Sequence, residues 1–135
     1  MKVILPILVH AFETDFGGVV SNTRYLEYLE RGRYHLLHEA GLPVEETWAN
    51  EGAMAVVRRV EADYLNFARH EERLELSTWA SEWSGASVIV SHEIVRPKDG
   101  VVILRARQTI AFMNRSWRPT RVPKSYRDSL GASPV

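Results

Sequence analysis

The chain has 135 residues, enough for one domain with its own core, and its 45% hydrophobic and 25% charged content is that of an ordinary globular protein. Seventeen basic residues balance seventeen acidic ones, so the formal charge is zero; that argues against a nucleic-acid partner, which a basic surface would serve. With no cysteine, disulfides, thiol catalysis and cysteine-bound metal are excluded.

The opening MKVILPILVH carries Pro6 and runs into His10 and Glu13 without a small-residue cleavage site. It reads as a buried first strand over 2–13 rather than a signal peptide, with Pro6 marking an edge or an irregularity. No run approaches the ~18 apolar residues of a membrane span, so no membrane association and a cytoplasmic location are expected. A turn follows from Asp15 to Ser21. Gly17-Gly18 lets the backbone bend sharply and approach a ligand closely, because glycine tolerates positive φ.

The one long helical pattern covers about 22–40, with Asn22 as its cap. Tyr25, Leu29, Gly32 and Leu36 fall at i, i+4, i+7 and i+11, and Leu26 and Leu37 widen the stripe. Gly41 supplies the stop and Pro43 lies beyond it. Gly32 costs roughly 1 kcal/mol in a helix interior, which predicts a close backbone contact there, with the sheet as partner. A helix N-terminus presents unpaired N–H groups and about half a positive charge. A carboxylate beside such an end is equipped for acyl chemistry, as base or nucleophile next to an oxyanion binder. The spacing alone fits an ordinary surface turn equally well.

Residues 43–51 read as a connection or a short helical turn. The period then changes, and 53–66, 73–83, 87–96 and 101–113 read as strands rich in β-branched and aromatic residues. Pro97-Lys98-Asp99-Gly100 turns the last pair, and Trp83-Ser84-Gly85-Ala86 the pair before. Val102, Leu104, Ala106, Thr109 and Ala111 do not keep one face, which predicts a bulge near Gln108. The tail is basic at Arg115, Arg118, Arg121 and Lys124, then gives a helical turn over SYRDSL and frays. The order β–α–β–β–β–β indicates an α+β domain over residues 1–135, with one helix on one face of an antiparallel sheet of about five strands. One helix cannot cover such a sheet, so self-association is expected, most simply through a sheet edge.

Several matches in the right order then identify a family. Asp15-Phe16-Gly17-Gly18-Val19-Val20, Asn22, Tyr25, Tyr28-Leu29-Glu30-Arg31 and Arg33 resemble the 4-hydroxybenzoyl-CoA thioesterase family of hotdog-fold acyl-CoA thioesterases. Ala40-Gly41-Leu42-Pro43, Asp63-Tyr64, Glu82-Trp83 and the segment from Arg118 to Pro123 extend the resemblance over nearly the whole chain. It implies a curved antiparallel sheet wrapped around the helix, a dimer or tetramer, and an active site at a subunit interface. Asp15 would be the catalytic carboxylate, attacking directly or activating water as general base, and the backbone N–H at or near Asn22 would polarise the thioester carbonyl. Gly18 would keep the loop close to the acyl group, with Val19 and Tyr25 beside the substrate. Many relatives have a histidine or an asparagine pair after the glycine; here Val19, Val20 and Ser21 precede Asn22. Basic residues that some relatives use for the nucleotide phosphates just after Glu-Trp are also missing, and Arg115, Arg118, Arg121 and Lys124 stand either as a replacement source of that charge or as a solvated basic loop. The implied substrate is a small or medium acyl-CoA, although an acyl carrier protein can present the same thioester; no metal or other cofactor is needed.

The remaining candidates have plainer explanations. A related hotdog branch uses a helix glutamate as its catalytic acid group, which makes Glu30 a candidate, but Asp15 makes that the lesser role and the i+3 spacing to Arg33 suits an ion pair. His35 and His38 have metal-ligand spacing without an obvious acidic third ligand, and their place in the last turns suits the helix C-terminus. His10, His70 and His92 are isolated and read as structural or exposed. Trp48, Trp79, Trp83 and Trp117 could line an acyl pocket, although core packing is the default for aromatics. Two rival functions stay open: an acyl-binding or assembly subunit without turnover, and an enoyl-CoA hydratase, for which His10 is the histidine nearest Asp15 in sequence.

Overall fold

The computed structural model describes residues 1–131. Strands β1 (Lys2–Leu8), β2 (Met54–Tyr64), β3 (Arg73–Trp83), β4 (Ser87–Arg96) and β5 (Val101–Met113) form an antiparallel sheet in the order β1-β3-β4-β5-β2, and the two-residue β6 (Pro119–Thr120) pairs with β5. Helix α1 (Asn22–Glu39) lies against one face, over β1 and β3. Two shorter helices, α2 (Val44–Glu51) and α3 (Lys124–Leu130), complete the α+β domain. The connection expected at 43–51 is thus a true helix, and SYRDSL is helical. The expected fraying of the tail falls on residues 132–135, outside those described.

Helix α1 ends where its sequence says it should. Gly41 takes φ +73; its N–H donates to His38 O at 3.1 Å, and the Leu42 N–H donates to Leu37 O at 2.8 Å. That double bond pattern closes the helix with a left-handed residue, for which glycine is suited. Midway along, Gly32 is where the helix meets the sheet. A Cβ there would sit 2.6 Å from both Leu76 Cδ2 and Thr78 Oγ1, so the expected close contact is borne out.

Beneath Gly32 the core divides in two. One apolar cluster gathers Tyr25, Tyr28, Leu29, Leu74, Leu76 and Leu104. The other gathers Leu36, Leu37, Val90, Ile110, Phe112 and Tyr126. Between them runs a buried polar band: Thr78 Oγ1 is 3.0 Å from His92 Nδ1, and His92 Nε2 is 2.8 Å from Gln108 Oε1. Burial drives the His92 pKa down to about 4, and the hydrogen bond to Gln108 only partly opposes this. His92 is therefore a neutral structural residue.

Three local expectations are corrected. The first strand ends at Leu8 rather than at residue 13, because the chain turns through a short 3-10 segment at Ala11–Glu13. The helix cap is Ser21, in extended conformation, and Asn22 is the first helical residue. The extra residue of β5 is Ile103, since Ile94 pairs with Leu104 and Val95 with Val102; near Gln108 the bulge lies on the facing strand β2, where Arg58 is extra between Val57, paired with Ile110, and Arg59, paired with Thr109. Gln108 keeps regular alternation and points inward, opposite Val90.

Candidate active site

The turn at Asp15 is built by its own hydrogen bonds. Asp15 N–H donates to Val19 O and Gly18 N–H donates to Asp15 O, both at 2.9 Å. Gly17 N–H donates to the Asp15 carboxylate, at Oδ1, at 2.8 Å. This local bond fixes the carboxylate on its turn, as aspartate does readily. Gly18 has φ +79 with nothing nearer than Arg69 Nη1, 4.0 Å from where a Cβ would sit. Backbone conformation, rather than crowding, is what calls for glycine here.

The turn is tied to α1 on one side and to the segment after β2 on the other. Val20 N–H donates to Ala68 O at 2.9 Å, and Ser21 N–H donates to Glu13 O at 3.2 Å. The N–H groups of Asn22 and Thr23 have no hydrogen-bond acceptor among the described residues. Of these two residues Asn22 lines, with Asp15, one cleft of about 370 Å³ whose walls also include Val19, Tyr25, Leu65 and Phe67. An exposed carboxylate and a free amide at the positive end of an 18-residue helix thus share a mostly apolar hollow. Such a hollow can hold an acyl group while amide N–H groups donate hydrogen bonds to its carbonyl oxygen.

Of the residues singled out in the sequence, Asp15, Asn22, Val19 and Tyr25 line this cleft and Gly18 shapes the turn beside it. The Tyr25 ring stands 6.0 Å from Tyr28, edge to face, and 5.7 Å from Tyr64. Its hydroxyl is buried and unpaired among the described residues, and burial raises its pKa, with the nearby Ala68 backbone pulling the other way. Arg118 and Arg121 lie elsewhere in the chain. Tyr64, at the cleft, pairs with Leu104, whereas Thr120, between the two arginines, pairs with Phe112. From Leu104 to Phe112 is roughly 27 Å along β5 at a strand rise of ~3.4 Å per residue. Arg121 instead packs beside Gly85, its Nη2 3.5 Å from where a Cβ would sit.

The other candidates also find their places. Glu30 pairs with Arg33 through contacts of 2.7 and 3.0 Å, with the Arg33 side chain only 9% exposed. None of the tryptophans lines the cleft; Trp79, Trp48 and Trp83 lie under Lys2, Arg115 and Arg127. No histidine lines it either: His10 stacks on Phe12 at 5.3 Å. Among the described residues no group of three or more histidine, aspartate or glutamate side chains could hold a metal ion. No helix among them is long and apolar enough to cross a membrane.

One residue escaped the sequence. Glu13 is buried, and its Oε1 accepts the Tyr28 hydroxyl and the His10 N–H, each at 2.9 Å. Burial, then the bond to Glu13, pushes the Tyr28 phenol far above its ordinary pKa. The pair pins the start of the Asp15 turn to the middle of α1. Fifteen residues separate the partners, so neither helical nor strand periodicity signals the contact.

Comparison with known proteins agrees with this architecture. Residues 9–130 match the family model of the thioesterase-like superfamily. The acyl-acyl carrier protein thioesterase ATL3 of Arabidopsis thaliana is 27% identical over 93% of this chain, and the chain spans 66% of that protein's length. The acyl-CoA thioesterase YbgC of Haemophilus influenzae is 29% identical over 88% of this chain and 87% of its own. A 4-hydroxybenzoyl CoA thioesterase mutant complexed with 4-hydroxybenzoyl CoA has the same fold, with TM-score 0.90 at 19% identity over 96% of this chain and 99% of that one. By fold and by a family match that takes in α1, its Asp15 turn and the whole of β2 to β5, the chain belongs to the thioesterase-like superfamily as one of its hotdog-fold members.

Proposed function

We propose that the protein is an acyl-CoA thioesterase that cleaves a small or medium acyl-CoA to the free acid and CoA. The observation that carries this is the single cleft shared by Asp15 and Asn22, whose backbone N–H at the start of α1 has no acceptor among the described residues. In the proposed reaction the thioester carbonyl oxygen takes hydrogen bonds from the α1 N-terminus, which hold the negative charge that develops as the carbonyl carbon is attacked. In one course Asp15 attacks that carbon, the C–S bond breaks, CoA thiolate leaves, and water then hydrolyses the mixed anhydride to free acid and Asp15. In the other it removes a proton from a water that attacks the carbon and displaces the thiolate directly. A thioester is reactive enough for one carboxylate and a helix end to suffice. Val19 and Tyr25 contact the acyl group, and Gly18 keeps the turn low over it.

Arg118 and Arg121 enter only through a second copy of the chain, since in one chain they sit at the far end of β5. We propose that they meet the CoA phosphates of a neighbour's cleft in a dimer or tetramer. Phe12, Phe16, Leu65 and Phe67 are exposed about the Asp15 turn and the cleft, an apolar rim of the kind that marks an interface. Acyl carrier protein, which appears in the name of the plant relatives, is an alternative donor of the same thioester. The hydratase reading has no support from the cleft, because no histidine lines it.

Thiol release from a panel of aliphatic and aromatic acyl-CoAs tests the proposal, with enoyl-CoA hydration measured alongside. Thiol release on at least one member, without hydration, is expected. Binding without release would leave an acyl-holding subunit instead.

A further inference from the structure

Segment 65–72 supplies Leu65, Asn66 and Phe67 to the cleft. Leu65 and Phe67 are 46% and 71% exposed, so burial does not hold their side chains, and their placement depends on how the backbone is anchored. Asn66 is held at one end, its amide to Ile103 O at 3.2 Å and its side chain to Val102 O at 2.7 Å. Glu71 and Glu72 are held at the other, through backbone bonds to Val9 of 2.7 and 3.0 Å.

Between these ends the side-chain anchor is Arg96, from the end of β4. Its Nη1 donates to Phe67 O at 3.2 Å and to Glu72 Oε2 at 3.1 Å. Its Nε and Nη2 donate to the Asp99 carboxylate at 3.1 and 2.9 Å. Glu72 Oε1 in turn accepts the Arg69 N–H at 2.5 Å. One planar guanidinium, with donors in a fixed fork, thus couples the β4–β5 turn to the backbone that carries Phe67. On its other side the segment touches the catalytic turn: Ala68, fully buried, accepts the Val20 N–H, and Arg69 bridges with Val19. Arg96 does not line the cleft.

We infer that Arg96 is a positioning residue that sets the acyl-chain selectivity of the cleft, acting through Phe67 and Glu72 on segment 65–72. The inference rests on the acyl-thioester reading of the cleft. A short acyl group does not depend on Leu65 and Phe67; a longer one packs against them, so loosening the segment penalises long chains selectively. Loss of fold alone would lower all substrates by one factor.

The test compares acetyl-CoA with octanoyl-CoA in wild type, Arg96→Gln and Arg96→Lys, and follows hydrogen exchange at the Val20 amide. Arg96→Gln is expected to cut the octanoyl-to-acetyl ratio of kcat/KM about tenfold, through a raised KM for octanoyl-CoA. The Val20 amide should exchange about tenfold faster while the Val90 amide at the sheet centre is unchanged. Arg96→Lys keeps the charge with fewer directed donors and should recover part of the ratio. If Arg96→Gln does not fold, Glu72→Gln is expected to shift the ratio in the same direction. Equal losses for both substrates, or an unchanged ratio with unchanged Val20 exchange, would overturn the inference. A wild type that hydrolyses neither thioester would overturn the chain-length selectivity, and release from no member of the acyl-CoA panel would sink the thioesterase reading as well, while faster Val20 exchange in Arg96→Gln would still support the anchoring.

Discussion

Asp15 and His92 show how differently two ionisable side chains can be used. The Asp15 carboxylate stays exposed at the cleft, with one oxygen held by Gly17 N–H and the other without a hydrogen bond among the described residues. That leaves one oxygen free for the proposed chemistry while the local bond fixes direction. His92 is sealed in the core between Thr78 and Gln108 and kept neutral by burial. Its folded pKa of about 4 lies below the ~6.5 of an unfolded chain, so between those values the unfolded state binds the extra proton. The stability this neutral histidine preserves is therefore complete above pH ~6.5 and is lost as pH falls toward 4. Linkage puts the loss at about 2–3 kcal/mol between pH 7 and pH 4.5. Urea midpoints of wild type and His92→Asn at the two pH values check it: the variant should lack that part of the pH slope, and identical slopes would contradict the assignment.

Helix α1 is the element on which both stability and the cleft depend. Its C-terminus closes on a glycine and its N-terminus opens into the cleft. Gly32 lets it lie directly on β3. Gly32→Ala adds helix propensity worth roughly 1 kcal/mol, but the new methyl meets Leu76 and Thr78 at 2.6 Å, and overpacking costs typically about 1–3 kcal/mol. Displacing Thr78 also disturbs the His92 bond. A net destabilisation of about 1–2 kcal/mol in urea unfolding is expected, and a stabilised variant would mean the helix can lift off the sheet freely. Much of this element was legible beforehand, because the Tyr25–Leu29–Gly32–Leu36 stripe, Gly41 and Pro43 are local signals with one meaning. What was not legible depends on partners distant in the chain. The bulge at Ile103 is set by register against β4, so the inward Gln108 looked like the irregular position until Val90 and His92 were placed beside it. Glu13 was hidden for the same reason, since its partner Tyr28 lies a turn and a helix away. Asn22 was mistaken for the cap because Ser21, equally suited to that role, directly precedes it.

At the scale of the molecule, the sequence supplied the α+β architecture and the Asp15 end of the cleft, but not which chain each arginine serves. Arg118 and Arg121 are near Asp15 in no sense that one chain provides. If they act on a neighbour's substrate, an Asp15→Asn chain mixed with an Arg118→Gln/Arg121→Gln chain forms hybrids with one intact site, built from the Asp15 of one copy and the arginines of the other. Activity well above that of either variant alone is expected on mixing, after subunit exchange is verified by light scattering or mass spectrometry. No gain despite exchange would place the arginines outside the site or make each site self-contained. All of this presupposes that Asp15 carries the reaction, and the most direct measurement is thiol release from the best acyl-CoA by wild type and Asp15→Asn. With circular dichroism and oligomeric state unchanged, Asp15→Asn is predicted to lower kcat/KM at least about a hundredfold, near 2.7 kcal/mol in the barrier; hydrolysis at close to the wild-type rate would contradict it.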